Sequence, residues 1–274
     1  MRESGCCCAC ACLFLMLWGT FASAIPVRVG GLQCPSPIFD PVTGHYFHAM
    51  RTDIATTFAG STFTSLPDLT GDLTGYDLIV ACGFNDPGLT AAEQINLANF
   101  VTGGGHYFYV GEGMVTPDNT SFVAPVGMAM VPDPSTDEAL LFAPWTNPTH
   151  PFLNGPFGQA TAPPNSVSGS VAAMVTTLGP ATELARWSPS AGAGGIAVAA
   201  VERNVLAPGA GFVLVSTDVN MIGARWDTEL GIPFMNALYQ AVPEPAGASS
   251  LLLLAMIHAR RSTTRSTTRQ HRNR

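Results

Sequence analysis

Two strand patterns separated by one helix pattern stand in the first half of the chain, and this order restricts the fold more than any other feature. Residues 76–82 are mostly apolar and β-favouring, as expected for a strand buried on both faces. Residues 89–101 have helical spacing, and Thr90 followed by Glu93 matches a capping box. A second strand pattern covers 106–110. Because such crossovers are almost always right-handed, the unit predicts parallel neighbouring strands and an α/β fold.

Shorter patterns on both sides extend this unit into one domain over residues 25–241. We expect a mostly parallel sheet flanked by helices, with a β-rich excursion in the second half. Residues 144–164 are rich in Pro, Gly and Asn, which predicts an extended surface segment. The other expected strands are 25–30, 61–66, 171–177, 181–187, 196–202 and 212–217, and the other expected helices are 45–58 and 232–240.

The first 24 residues have the pattern of a signal peptide. Arg2 precedes an apolar core over 13–18, and small residues at 22–24 suit cleavage. Five of the seven cysteines lie in this segment, and they precede the apolar core, which argues against lipidation. We therefore expect export through a Sec-type machinery and removal of residues 1–24 by a signal peptidase.

Charge is distributed unevenly along the chain. It contains no lysine, and residues 25–241 carry five arginines against 17 acidic residues, a net charge of −12. Nucleic-acid binding needs clustered basic side chains that neutralise phosphates. The composition therefore excludes nucleic acid as a partner of this domain.

Residues 242–274 form a tail with three parts in a fixed order. Pro243-Glu244-Pro245 comes first, an apolar segment over 246–259 follows, and Arg260 and Arg261 come directly after it. A helix over those 14 apolar residues would reach roughly 21 Å, short of the ~30 Å hydrocarbon core. Arginines after the segment would stay cytoplasmic, so the tail predicts a short apolar helix that anchors the exported chain only transiently at the inner membrane.

This tail resembles the PEP-CTERM sorting signal, which an exosortase recognises in the membrane. The resemblance implies a bacterium that makes exopolysaccharide, with exosortase as a partner and a mature protein at the cell surface or in the extracellular matrix. His258 inside the apolar segment and the repeated Ser-Thr-Thr-Arg over 262–269 depart from the usual pattern. An ordinary C-terminal membrane anchor remains the alternative.

The central unit resembles the class I glutamine amidotransferase-like superfamily, through residues 76–80, 89–93, 99–105, 209–220 and 236–238. The resemblance implies a flavodoxin-like sheet. Members with hydrolytic activity hold a nucleophile on a strained turn after a strand, and Gly111 occupies the matching position here. Residues 217–220 stand where the partner histidine is expected. The resemblance therefore implies no catalytic residue, and we expect no cofactor.

Cys34 and Cys82 are the cysteines left in the domain. In a flavodoxin-like strand order they follow the first and third strands, which are neighbours. A disulfide between them is one alternative in an oxidising compartment, and two separate buried cysteines are the other.

Several polar residues follow the strands of the expected parallel sheet. Ligands of open α/β sheets bind at that carboxyl edge, where oxygen donors would suit a hard cation or sugar hydroxyls. Turn and cap roles are the alternative. The histidines show no spacing typical of a metal site. The candidate ligand-binding residues are Asn85, Asp86, Glu112, Asp218 and Asn220.

Two hypotheses for function follow. The first is an exported surface or matrix-associated protein with a non-catalytic domain that binds or scaffolds, with exopolysaccharide as a candidate partner. The second is an exported hydrolase with a rearranged acidic site around Glu112 and Asp218.

Overall fold

The computed structural model describes residues 25–84, 88–113, 119–132, 145–160, 173–187, 195–223, 226–227 and 230–241. The expected signal peptide and the whole tail, including its apolar helix, lie outside these residues. Pro26–Ala241 forms one structural unit. The helices are α1 (His48–Thr57), α2 (Ala91–Thr102), α3 (Asn119–Val123) and α4 (Gly231–Ala241). The strands are β1 (Arg28–Leu32), β2 (Thr62–Leu66), β3 (Leu78–Cys82), β4 (His106–Val110), β5 (Ala129–Pro132), β6 (Asn154–Gly155), β7 (Gly158–Gln159), β8 (Ala173–Thr177), β9 (Thr182–Arg186), β10 (Ile196–Val201) and β11 (Val213–Ser216).

Parallel strands make up one half of a nine-stranded sheet. Their order is β2-β1-β3-β4-β11, and each neighbouring pair is parallel. This is the flavodoxin-like order, which confirms the expected fold class. The register pairs Val110 at the end of β4 with Cys82 of β3 on one side and Ser216 of β11 on the other. These three strands therefore end side by side at one edge of the sheet.

Antiparallel strands complete the other half. β10 pairs with β11, with β9 and with β8, and β5 closes this side by pairing with β8. This half is the expected β-rich excursion. Neither β5 nor α3 is apparent in the sequence, because each is short and β5 ends at Pro132.

The core forms where α2 covers the central strands. All residues of β3 and β4 are buried, and Leu97 and Val101 of α2 belong to the same apolar cluster as Ile79. The predicted capping box is present, since Thr90 accepts from the Glu93 amide and the Glu93 side chain accepts from the Thr90 amide. The β3–α2–β4 unit thus forms where local sequence predicted it.

Residues 145–160 differ from the expected surface segment. Phe152 and Leu153 are buried, and the short strands β6 and β7 follow them. Asn236 of α4 holds this segment, because its side chain donates to Phe152 O at 3.0 Å and accepts from the Phe157 amide at 2.9 Å. The Pro, Gly and Asn residues read as loop signals are therefore compatible with a segment that packs against α4.

Candidate functional site

The carboxyl edge of the parallel strands contains the point where the strand order reverses. β1 lies between β2 and β3, so the connections that leave β1 and β3 diverge on opposite sides of the sheet. Open α/β sheets bind ligands in the crevice that this divergence creates. We therefore followed the residues after β1, β3, β4 and β11.

Gly111 begins the turn after β4, at the position where the resembling superfamily holds its nucleophile. Its amide donates to Ser216 O at 2.7 Å, and its φ is not in the left-handed region, so the turn lacks the strain of a nucleophile elbow. A Cβ here would lie 2.6 Å from Cε of Met130, a buried side chain. A larger residue would thus have to displace part of the core.

Glu112 follows directly and is 2% exposed. Its Oε1 accepts from the Gly113 amide at 2.8 Å, and its own amide points to Asn119 Oδ1 at 3.5 Å. In an acyl-transfer enzyme, amides after the nucleophile stabilise a developing oxyanion. Here the turn's amides already face a carboxylate and a side-chain amide oxygen, and a carboxylate beside that position would repel an oxyanion.

Asn119 at the start of α3 fixes the Glu112 turn. Its Nδ2 donates to Glu112 O at 2.8 Å, and its Oδ1 accepts from the Tyr109 hydroxyl at 2.5 Å. The turn after β3 comes equally close, because a Cβ on Gly83 would lie 2.8 Å from the Glu112 amide nitrogen. Sequence reasoning missed Asn119, whose visible signal is the tripeptide 119–121 that resembles a glycosylation site.

Asp218 and Asn220 follow β11. Asp218 is fully buried, and its Oδ1 accepts from the Asn220 amide at 2.7 Å, which caps the 3-10 turn Val219–Met221. The capping alternative is therefore realised for Asp218. Since Val110 pairs with Ser216, Glu112 and Asp218 each stand two residues beyond paired positions. The two acids leave neighbouring strands at the same level.

Cys34 and Cys82 are separate free thiols, and both are buried. The structure thus has the second of the two alternatives and not the disulfide. The Cys34 amide donates to Asp40 Oδ2 at 3.3 Å, which ties this residue into the loop closed by Asp40. Burial raises the pKa of both thiols, and for Cys82 the charge of Glu112 acts in the same direction. Both sulfurs therefore stay protonated at neutral pH and are poor nucleophiles.

Three aromatic side chains, Phe39, Tyr46 and Phe84, meet beside the turn after β3, and we call them the aromatic cluster. The rings of Phe39 and Phe84 stack with centroids 4.0 Å apart, and those of Phe39 and Tyr46 lie 4.6 Å apart. Each of the three is partly exposed. A Cβ on Gly223 would overlap the Tyr46 ring, so the cluster also touches the segment after β11. The residues are distant in sequence, which is why sequence patterns did not reveal the cluster.

The remaining predicted residues lie outside the described part of the chain. These are Asn85 and Asp86 of the candidate site and the sorting residues Pro243, Glu244, Pro245, Arg260 and Arg261. Within the described residues, no group of three or more His, Cys, Asp or Glu side chains could hold a metal ion. None of the helices in those ranges combines the length and apolar character needed to cross a bilayer.

Comparison with known proteins supports the fold alone. No known family matches the chain, and no curated protein is significantly similar to it. Among solved structures, the N-terminal domain of mmIFT52 superposes with a TM-score of 0.55 and 17% identity, over 81% of this chain and 98% of that domain. A ThuA-like protein from Bacteroides uniformis superposes with a TM-score of 0.52 and 13% identity, over 84% of this chain and 96% of its own. At these identities the likeness is one of architecture.

Proposed function

We propose that this chain is an exported bacterial surface or matrix-associated protein whose α/β domain binds a ligand at the carboxyl edge of its sheet without hydrolysing it. The turn after β4 carries the proposal. Gly111 supplies no nucleophile and is packed against Met130, and the Glu112 carboxylate holds the amide of Gly113. The same turn therefore lacks both a nucleophile and open donors for an oxyanion.

Binding at this edge is supported by the polar groups that remain there. Glu112 and Asp218 leave β4 and β11 at the same level, and Asn220 follows Asp218 by two residues. Carboxylate and amide oxygens accept hydrogen bonds from hydroxyl groups. A few convergent polar groups beside partly exposed aromatic rings are the usual composition of a small-molecule site.

Export and sorting rest on the sequence of the two ends. Residues 1–24 would direct the chain to a Sec-type machinery and signal peptidase, and Pro243-Glu244-Pro245, residues 246–259 and Arg260-Arg261 would direct it to an exosortase. Mass spectrometry of the protein collected from its natural host tests this part. We expect a chain that begins near residue 25 and ends near Pro245. A mature chain that retains its arginine tail would overturn the processing proposal and favour a permanent anchor.

The binding proposal is tested with the variants Glu112→Gln and Asp218→Asn. Both keep an acceptor oxygen, and Asn caps a helical turn about as well as Asp, so both variants should fold. We expect wild-type protein to bind at least one glycan in a panel and both variants to bind it at least about tenfold more weakly, the loss expected for hydrogen bonds to a charged group. Asp72→Asn, at an exposed acid in the turn closed by Thr74, is the matched control and should bind as wild type does.

An exported hydrolase is the second candidate, favoured by the placement of Glu112 and Asp218 on neighbouring strands. Paired carboxylates can act as general acid and base when their environments differ. The same variants decide between the two functions when ester, amide and glycoside substrates are added. Turnover that disappears in Glu112→Gln or Asp218→Asn would establish the hydrolase and overturn the binding proposal. We expect no turnover.

A further inference from the structure

The aromatic cluster is the part of the carboxyl edge that the turn and cap geometry leaves unexplained. Phe39 and Phe84 stack almost in parallel, with an interplanar angle of 7°, although aromatic pairs in proteins more often adopt offset or edge-to-face arrangements. The neighbouring Ile38 is 50% exposed. The cluster therefore presents an apolar surface to solvent at the edge where ligands of such sheets bind.

This surface is continuous with the acidic turns. Phe84 follows Gly83, whose Cα lies so close to the Glu112 turn that a Cβ would come within 2.8 Å of the Glu112 amide nitrogen. On the other side, Tyr46 packs against Gly223, in the segment that Asp218 begins. An occupant lying on the rings would thus have carboxylate-bearing turns on two sides of it.

Charge restricts what this occupant can be. The acids nearest the rings are Asp40, directly after Phe39, and those of the Glu112 and Asp218 turns. Arg51 is the described cation tied to this region, and it donates to Pro41 O at 3.2 Å. Arg28 and Arg186 are in ion pairs elsewhere in the chain. An acidic ligand would meet like charge at this edge, whereas a neutral ligand rich in hydroxyl groups would meet hydrogen-bond acceptors.

We propose that the aromatic cluster is a stacking platform for a sugar ring of a neutral oligosaccharide, with the Glu112 and Asp218 turns accepting from its hydroxyls. This inference rests on the proposed binding function and names its ligand class. A sugar ring has an apolar face of C–H groups and a polar rim of hydroxyls. A flat aromatic surface bordered by acceptor oxygens matches both parts of that ring.

Affinity electrophoresis of the full chain tests the inference, with three kinds of polysaccharide in the gel: neutral (a β-glucan, an α-glucan and a galactomannan), acidic (alginate) and cationic (chitosan). We expect retardation by a neutral polymer and none by alginate. Phe84→Leu keeps most of the side-chain volume but removes the flat ring, so it should weaken binding about tenfold. Ile38→Ser changes a half-exposed side chain, which leaves folding intact, and should weaken binding severalfold. Tyr239→Leu, at an exposed ring on α4, is the control and should bind normally.

The outcomes separate this inference from the function on which it rests. Retardation by alginate that Glu112→Gln abolishes would overturn the neutral ligand class while the binding function stands. Binding of a neutral polymer that survives both Phe84→Leu and Ile38→Ser, yet is lost in Glu112→Gln, would overturn the stacking platform alone. No retardation of wild-type protein by any of the polymers would overturn both.

Discussion

At the scale of single residues, Tyr107 and Tyr109 show how differently two tyrosines of one strand are satisfied. Both side chains are fully buried on β4. The Tyr109 hydroxyl donates to Asn119 at 2.5 Å, whereas the Tyr107 hydroxyl has no hydrogen-bond partner among the described residues. A buried polar group without a partner costs free energy that an apolar group of the same shape does not.

We therefore expect Tyr107→Phe to raise the free energy of unfolding by about 1 kcal/mol, because it removes the unpaired hydroxyl and leaves the ring in place. Tyr109→Phe is the matched variant and should lower that free energy by about 1–2 kcal/mol, since Asn119 would lose a donor. Urea unfolding followed by circular dichroism measures both. A Tyr107→Phe protein less stable than wild type would show that the hydroxyl is satisfied in solution.

His106 makes the stability of the fold depend on pH. Burial, aided by the charge of Arg203, lowers the pKa of this histidine to about 4, although Asp77 acts in the opposite direction. Its Nδ1 accepts from the Phe212 amide at 3.2 Å, so the folded protein holds the neutral ring. The unfolded chain takes up a proton below its ordinary pKa of about 6.5. Stability is therefore lost as pH falls from about 6.5 to 4, and this loss amounts to about 3 kcal/mol.

His106→Asn should reduce that acid sensitivity. Asparagine can accept from the Phe212 amide but does not titrate, so the loss of unfolding free energy between pH 7 and 4.5 should shrink by about 2–3 kcal/mol. The variant is compared with wild type by urea unfolding at both pH values, which cancels the contributions of carboxylates common to both proteins. His150, whose pKa is also lowered by burial, leaves some acid sensitivity in the variant. Equal slopes in the two proteins would contradict the assignment.

At the scale of elements, the turn after β3 and the turn after β4 must approach closely for the site to exist. Gly83 permits this, since a Cβ there would come within 2.8 Å of the Glu112 amide nitrogen and 2.9 Å of Asn119 Oδ1. Neither atom can withdraw easily, because one belongs to the backbone and the other bonds Tyr109. The close approach thus depends on the absence of a side chain at one position.

Gly83→Ala should lower the free energy of unfolding by about 1–3 kcal/mol, the usual cost of overpacking. Gly71→Ala is a sharp control, because a Cβ at Gly71 would meet nothing within 4 Å and its φ is not positive. That variant should be neutral or more stable by up to about 1 kcal/mol, since alanine restricts the unfolded chain. Thermal and urea unfolding compare the two. Similar effects of both variants would mean that the turns do not pack as described.

At the scale of the whole molecule, charge is strongly biased. The full chain carries a net charge of −7, and the domain over 25–241 carries −12 through five arginines and 17 acids. Two of the arginines are paired, with Asp77 and with Glu183, which leaves repulsion among carboxylates to oppose the compact state.

Salt should therefore stabilise this protein. Raising NaCl from about 0.02 to 0.3 M shortens the screening length, and we expect Tm to rise by about 2–4 °C, which corresponds to ~1 kcal/mol for a domain of this size. The rise should shrink near pH 4, where the carboxylates begin to protonate. A Tm that falls with added salt at neutral pH would show that ion pairs, and not repulsion, dominate the electrostatics.

The predicted and the unforeseen features of this fold differ in the range of the interactions that produce them. β3, α2 and β4 follow from local sequence, because the apolar runs, the Thr90–Glu93 cap and the helical spacing all favour the same conformations. Neither β5 nor α3 was predicted, since β5 exists through pairing with β8. Residues 145–160 looked like a surface loop because the contacts that bury Phe152 come from α4, far along the chain.

The sequence by itself determined the fold class, the parallel order of the central strands, the acidic and lysine-free character of the domain and the glycine at position 111, because each depends on residue type or on neighbours along the chain. The tertiary structure alone decided that Cys34 and Cys82 are separate thiols, that Asn119 holds the Glu112 turn, and that Phe39, Tyr46 and Phe84 meet. The physical reason is that such contacts join segments distant in sequence, and only packing of the sheet and its connections brings them within bonding distance.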